Sequence, residues 1–396
     1  MKSYLAIYVP RNASQGSEQV LREVIAGAYA EAARCKCPFF VQQVRMEESV
    51  QESLGLIGML SARSQTEKML KLKIPLVNVS NLFGPVKGMA NVLSDDDAVG
   101  RMAAEHLLSK GYRHFLAAGE KGPQWSQERL KGFIGAIQEA GQTVQALDLD
   151  FTGPSKKETP GGYAESIWEQ VHPLLRDAPL ATGIFAANDW LAWPILEEIR
   201  ANAPERLHTT ALLGVDNLHD QLFDPNRTAG LSSVQPGFRQ AGARSLQLLI
   251  DAVQNGTDIR KVSDRVPPVK VLTRGSTAGS ACEDPVVSAV VRELWVGIQQ
   301  NEAPSIRTLA RQHGMSLRNM ELRFEAQLGQ SARMLIADMR IQRGQELLRD
   351  SGLAITEVSR RCGYANSTTF STLFSKKNGL TPRQWRRQHQ PVSAPI

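Results

Sequence analysis

The stretch from Ala354 to Arg387, AITEVSRRCGYANSTTFSTLFSKKNGLTPRQWRR, decides how the rest of the chain is read. Beyond Glu357 it holds no acidic residue, while it carries Arg360, Arg361, Lys376, Lys377, Arg383, Arg386 and Arg387. Its apolar residues recur at helical spacing. Ile355 and Val358 mark one helix, Gly363 a turn, and Phe370, Leu373 and Phe374 the inward face of a second helix. Helix, short glycine turn, helix is the plan that lays its second helix in the major groove of DNA. A folded segment of this charge is what a phosphate backbone attracts.

The same plan occurs upstream. In SIRTLARQHGM (305–315), Ile306, Leu309 and Ala310 form one face and Gly314 a turn; Ser316 then caps a helix with Met320 and Phe324 inward. A helix over roughly 331–350 joins the two units (305–327 and 354–377), which could occupy groove segments about 34 Å apart. The outward residues of the first reading helix are Arg318, Asn319, Glu321 and Arg323, and those of the second are Ser367, Thr368, Ser371 and Thr372. Arg and Asn suit bidentate contacts to guanine and adenine; Ser and Thr discriminate less. Each of these side chains could instead be solvated or touch phosphate. Lys376 and Lys377, with the neighbouring arginines, read as phosphate contacts on double-stranded DNA, and Trp385 reads as core.

Charge is placed unevenly along the 396 residues. Residues 283–396 hold 16 Lys+Arg against 10 Asp+Glu, and the remaining 30 and 30 leave residues 1–282 neutral. This asymmetry favours a nucleic-acid partner for the C-terminal part. No apolar run approaches the ~20 residues of a membrane span. The run before Pro10 is too short for a signal-peptide core, so a cytoplasmic location without a membrane partner is expected. Cys35, Cys37, Cys282 and Cys362 lack the spacing of a zinc site. No G-x-S-x-G, H-E-x-x-H or G-x-x-x-x-G-K-[ST] motif is present, so neither enzyme activity nor a cofactor is expected.

The first 275 residues alternate strand and helix patterns: YLAIYV (4–9), LGLIGML (54–60), PLVNVS (75–80), HFLAAG (114–119), GIFAAND (183–189) and ALLGVD (211–216), with amphipathic helices between. Repeated β-α units predict parallel sheets with helices on both faces, and ligand beyond the carboxyl ends of the strands. Asp189 and Asp216 end two such strands. Either could instead be a helix or turn cap, and Arg129 could pair on the surface with Glu128 or Asp95. Residues 276–286 read as a linker to an all-helical domain at 287–390.

Two resemblances carry this further. The segment 285–390 resembles the AraC/XylS family of transcription regulators, through G363-Y364, F370-x-x-x-F374, K376, G379-x-T381-P382 and W385-R386. Ser375, Gly344 and Leu322 depart from the usual basic residue, Ala and Arg at their positions. The first 275 residues resemble the effector domain of lactose- and galactose-repressor-type regulators, through S94-D-D-D-A-V-G100, W125-S-x-x-R129-x-x-G132-F133, F185-A-A-N-D189, G214-V-D216 and L231-S-S-V-Q-P. That domain is similar to periplasmic sugar-binding proteins: two α/β lobes around a cleft.

The resemblance implies a small sugar effector held by Arg129, Asp189 and Asp216, with Phe83, Trp125 and Trp190 as ring or wall residues and Asn188 and Gln235 completing the set. Carboxylates accept hydroxyl hydrogens, Arg donates to hydroxyl oxygens, and aromatic rings cover the apolar sugar face. It further implies a homodimer that activates sugar-catabolism genes through RNA polymerase, with a pentose such as xylose as the first expectation. A repressor or dual regulator answering to another sugar or related metabolite is the alternative.

Overall fold

A computed structural model describes residues 4–9, 15–44, 52–149, 162–203, 206–218, 230–301 and 305–389. Two α/β lobes precede a helical domain. The first lobe's sheet contains β1 (Tyr4–Tyr8), β2 (Phe40–Val44), β3 (Gly55–Gly58), β4 (Leu76–Asn78), β5 (Ala90–Ser94) and β11 (Ser263–Val266), in the order β11-β5-β4-β3-β1-β2. Every pair is parallel. Helices α1 (Gln15–Arg34), α2 (Arg63–Leu70) and α7 (Phe238–Asn255) belong to this lobe. The inner strands read as unbroken apolar runs because both faces are covered; all four residues of β3 are buried.

The second lobe repeats the plan with β6 (His114–Glu120), β7 (Thr143–Leu149), β8 (Thr182–Ala186), β9 (Ala211–Val215), β10 (Ser232–Gln235) and β12 (Lys270–Leu272), ordered β12-β10-β9-β8-β6-β7. Its pairs are parallel except β10–β12. That edge strand is antiparallel because the chain returns from the first lobe to reach it. Helices α3 (Asp96–Ser109), α4 (Gln124–Glu139), α5 (Gly162–Asp177) and α6 (Asp189–Asn202) cover this sheet. The chain crosses between lobes after Ser94, after Gln235 and after Val266. Asp95 N–H donates to Val266 O and Val269 N–H to Gln235 O, both at 2.8 Å, so the crossings are tied together.

Both lobes use glycine pairs to bring two helices into backbone contact. A β-carbon at Gly27 of α1 would lie 1.9 Å from Arg239 O, and one at Gly242 of α7 2.0 Å from Val24 O. In the second lobe, Gly100 of α3 and Gly132 of α4 would meet Arg129 O and Asp97 O at 2.0 and 2.1 Å. Only residues without a side chain allow this approach.

The helical domain contains α8 (Pro285–Gln300), α9 (Ile306–Gln312), α10 (Leu317–Leu328), α11 (Ala332–Asp350), α12 (Ile355–Arg361), α13 (Ser367–Asn378) and α14 (Pro382–His389). Its expected end at 390 lies outside the described residues. Two cores flank α11. Val290, Leu294, Leu309, Met320 and Phe324 fill one, and Leu348, Val358, Phe370 and Phe374 the other.

The stretch expected to be a linker is packed. Ser276 Oγ donates to Leu212 O (2.6 Å), Thr277 Oγ1 to Ser232 Oγ (2.7 Å), and Ala281 N–H to Lys110 O (2.8 Å). The seam itself carries charge. Burial pushes the Lys110 ammonium down and Glu346 of α11 opposes that shift. Burial also lowers Arg292 of α8 to about 10, with Tyr112 of the second lobe opposing.

Candidate functional site

The close α3–α4 contact sets Asp96, in the first turn of α3, against Arg129 of α4. Arg129 Nε donates to Asp96 Oδ1 (2.8 Å) and Nη1 to Ala187 O (2.7 Å), while Nη2 lies 3.0 Å from Asp216 Oδ1. All three partners belong to different segments: the first crossing, the end of β8 and the end of β9. Burial alone would lower the Arg129 pKa, but Asp216 and Asp96 reverse this and hold it above its usual value. The guanidinium also stands 5.0 Å from the Trp125 ring centroid. The expected alternative, a surface pair with Glu128 or Asp95, does not form; Asp95 caps α3 by accepting from Ala98 N–H.

Asp216 Oδ1 is buried, and the nearby Arg129 nitrogen is poorly aligned as a hydrogen-bond donor to it. The oxygen therefore lacks a well-directed donor. Asp216 and its neighbour Asn217 have φ of 95° and 51°, a region that non-glycine residues rarely occupy and that concentrates at ligand clamps. A pocket between the lobes is lined by Asp216, Asn217 and Gln235 together with Gln19, Glu23 and Phe238 of the first lobe.

Asn188, rather than Asp189, caps α6, the helix that follows β8. Its Oδ1 accepts from Leu191 N–H (2.8 Å), and its Nδ2 donates to Glu120 Oε1 (2.8 Å). Asp189 is 3% exposed and accepts from Leu218 N–H (2.8 Å) and from Ser233 Oγ (2.9 and 3.0 Å). Ser233 Oγ in turn accepts from Asn217 N–H (2.9 Å). The Asp189 carboxylate thus ties down the strained 216–218 turn. Burial first, then the Asp216 charge, pushes its pKa well up.

Phe83 is 43% exposed beneath Arg63, whose guanidinium is 5.7 Å from its ring centroid. Trp125, Trp190 and Gln235 are half-buried. Asp96 and Glu120 were missed. Asp96 reads as one of three helix-start carboxylates, although Asn81 Nδ2 donates to it as well (2.7 Å). Glu120 ends β6, so the strand-end rule that selects Asp216 could have found it. Burial raises its pKa, and Asn188 opposes the shift.

In the helical domain the two units superimpose in sequence at a constant offset of 50 residues: caps Ser316 and Asn366, buried Met320 and Phe370, buried Phe324 and Phe374, and C-cap Gly329 and Gly379. Arg318, Asn319, Glu321, Thr368 and Thr372 are exposed, and Ser367 and Ser371 are half-buried. Arg323 departs from the outward set. It is half-buried, with Nε donating to Asp284 Oδ2 at 2.5 Å, because it lies at the margin of the Met320–Phe324 face. Leu373 occupies the equivalent margin of α13 and is 37% exposed rather than inward, since Phe370 and Phe374 fill the core. Lys376 is exposed; Lys377 pairs with Asp338 of α11, and Glu357 takes both Arg360 and Arg361. Trp385 packs edge-on to Phe374, with centroids 5.8 Å apart, in the second core. Gly344 is explained: a β-carbon there would lie 2.7 Å from the Phe370 ring.

A two-lobed cleft joined to a tandem helix-turn-helix pair defines a ligand-responsive DNA-binding protein. Residues 104–277 match the periplasmic binding protein-like domain and residues 309–388 the helix-turn-helix domain. The xylose operon regulatory protein of Escherichia coli (strain K12) is 25% identical over 394 residues, spanning 94% of this chain and 95% of that relative. The protein of the same name from Haemophilus influenzae is 24% identical over 401 residues, spanning 97% and 99%. A solved structure described as a xylose-binding transcription activator shares the fold over 99% of both chains, with a TM-score of 0.65 at 21% identity. The chain thus carries a periplasmic binding protein-like domain and a helix-turn-helix domain, and over nearly its whole length it is similar to these xylose operon regulatory proteins.

Proposed function

We propose that this sugar-responsive transcription regulator binds a pentose such as xylose in the cleft at Arg129 and Asp216, and activates sugar-catabolism genes as a cytoplasmic homodimer acting on RNA polymerase. The observation that carries the effector site is the buried Asp216 Oδ1, short of an aligned donor and set on a strained turn facing the inter-lobe pocket. A sugar hydroxyl would supply that donor. Arg129 would donate to hydroxyl oxygens; Asn188 and Gln235 would complete the polar ring, with Phe83, Trp125 and Trp190 as walls. Asp189 acts by holding the Asp216 turn. The relatives named for xylose support the pentose reading, and the described residues contain no helix long and apolar enough to cross a membrane. We assign 1–275 to the sensor and 287–390 to DNA binding, with Arg318, Asn319, Glu321, Ser367, Thr368, Ser371 and Thr372 toward bases and Lys376 and Lys377 toward phosphates. Arg323 supports the fold of the reader through Asp284.

Effector binding acts only through a difference in affinity between two arrangements of the DNA-binding domains. Calorimetry of the full chain against pentoses, hexoses and their related acids tests the sensor, and the absence of heat with all of them would overturn it. DNA affinity should fall with salt at a log–log slope of roughly −0.9 per neutralised phosphate. A salt-independent interaction would overturn the reading of the basic segment.

A further inference from the structure

The reading helix α10 carries one large apolar side chain on the face that the fold leaves open. Leu322 is 57% exposed. It lies two residues after buried Met320 and two before buried Phe324. At ~100° per residue, that places it opposite the buried stripe. Arg318, one turn earlier, and Glu325, one turn later, flank it, and both are exposed. Leu322 is therefore at the centre of the outward face, between charged neighbours. The 50-residue repeat puts Thr372 at the matching position of α13, also exposed, with its own methyl group. In a helix-turn-helix unit that face meets base edges. The one apolar feature there that is specific to a base is the C5-methyl of thymine.

We infer that Leu322 is a base-reading residue that selects thymine in the half-site bound by the first unit, by packing its isobutyl group on the C5-methyl. This inference rests on the DNA-binding reading above. Thr372 offers a smaller methyl and a hydroxyl that accepts several bases, so the apolar selection is stronger in the first unit. Arg318 positions the same helix through guanine or phosphate.

The test uses the full chain and a duplex site selected by it from a random pool. Each thymine of the site is replaced in turn by deoxyuridine, which removes only the methyl group. Wild-type protein should lose about fourfold in affinity at one thymine, the worth of one buried methyl. Leu322→Ala should bind thymine and uracil there equally while keeping its salt-dependent binding, and its exposed position leaves folding intact. Leu322→Arg should shift the preference at that base pair toward guanine. Equal wild-type affinity for every deoxyuridine-substituted site would overturn the inference, as would retained thymine preference in Leu322→Ala. Failure of the wild-type chain to retain any duplex from the pool would instead overturn the DNA-binding reading, and this inference with it.

Discussion

The Arg129 guanidinium stands 3.0 Å from Asp216 Oδ1 while its other nitrogens hold Asp96 and the Ala187 carbonyl. One buried cation therefore joins the first inter-lobe crossing to the ends of two strands. Replacing it by alanine leaves two buried carboxylates without their counter-charge, which costs about 3–5 kcal/mol. Arg129→Ala should lower sensor stability by that order in urea unfolding and abolish sugar heat in calorimetry. Unchanged stability would show that the cluster is not the anchor of this lobe.

Asp189 accepts from Leu218 N–H and Ser233 Oγ. Asp189→Ala would leave the turn donors unsatisfied, at about 1–3 kcal/mol, and should weaken effector binding through a displaced Asp216. Asp189→Asn keeps an acceptor oxygen and should restore most of the stability. Effector binding lost equally in both variants, with both fully stable, would return Asp189 to the role of direct ligand contact.

His106 sits with Nε2 3.0 Å from Thr277 Oγ1, where the sensor meets the chain leading to the helical domain. Burial pushes its pKa down to about 3 from an ordinary 6.5. The folded form holds the ring neutral, so this contribution to stability is complete above about pH 6.5 and is lost as pH falls toward 3. The slope reaches at most about 1.4 kcal/mol per pH unit. Urea midpoints between about pH 7.5 and pH 4.5 should fall in the wild type and fall less in His106→Gln; parallel curves would remove His106 as the source.

Gly344 lies in the interior of α11, where alanine would normally gain about 1 kcal/mol in helix propensity. Here the added β-carbon would stand 2.7 Å from Phe370. Overpacking of that kind costs about 1–3 kcal/mol. Gly344→Ala should therefore lower the melting temperature of the full chain, and adding Phe370→Leu should recover part of the loss. A rise in melting temperature would show that α11 and α13 can separate freely.

Much of the helical domain was legible in the sequence because its signals are local. The caps Ser316 and Asn366, the turn at Gly363, and the paired buried positions Met320/Phe324 and Phe370/Phe374 all follow from spacing within one or two helical turns. The α/β repeat and the strand-end position of Asp216 were legible for the same reason. What the tertiary structure decided were choices among distant partners. Asp96, rather than Asp95 or Glu128, meets Arg129 because Gly100 and Gly132 bring two helices together. Asn188, rather than Asp189, caps α6 because Ser233 and Leu218 claim the Asp189 carboxylate. Arg323 turns to Asp284, and β12 pairs antiparallel because the chain has crossed the lobes. Periodicity states which face of an element is buried; only the packed chain determines which distant group waits there.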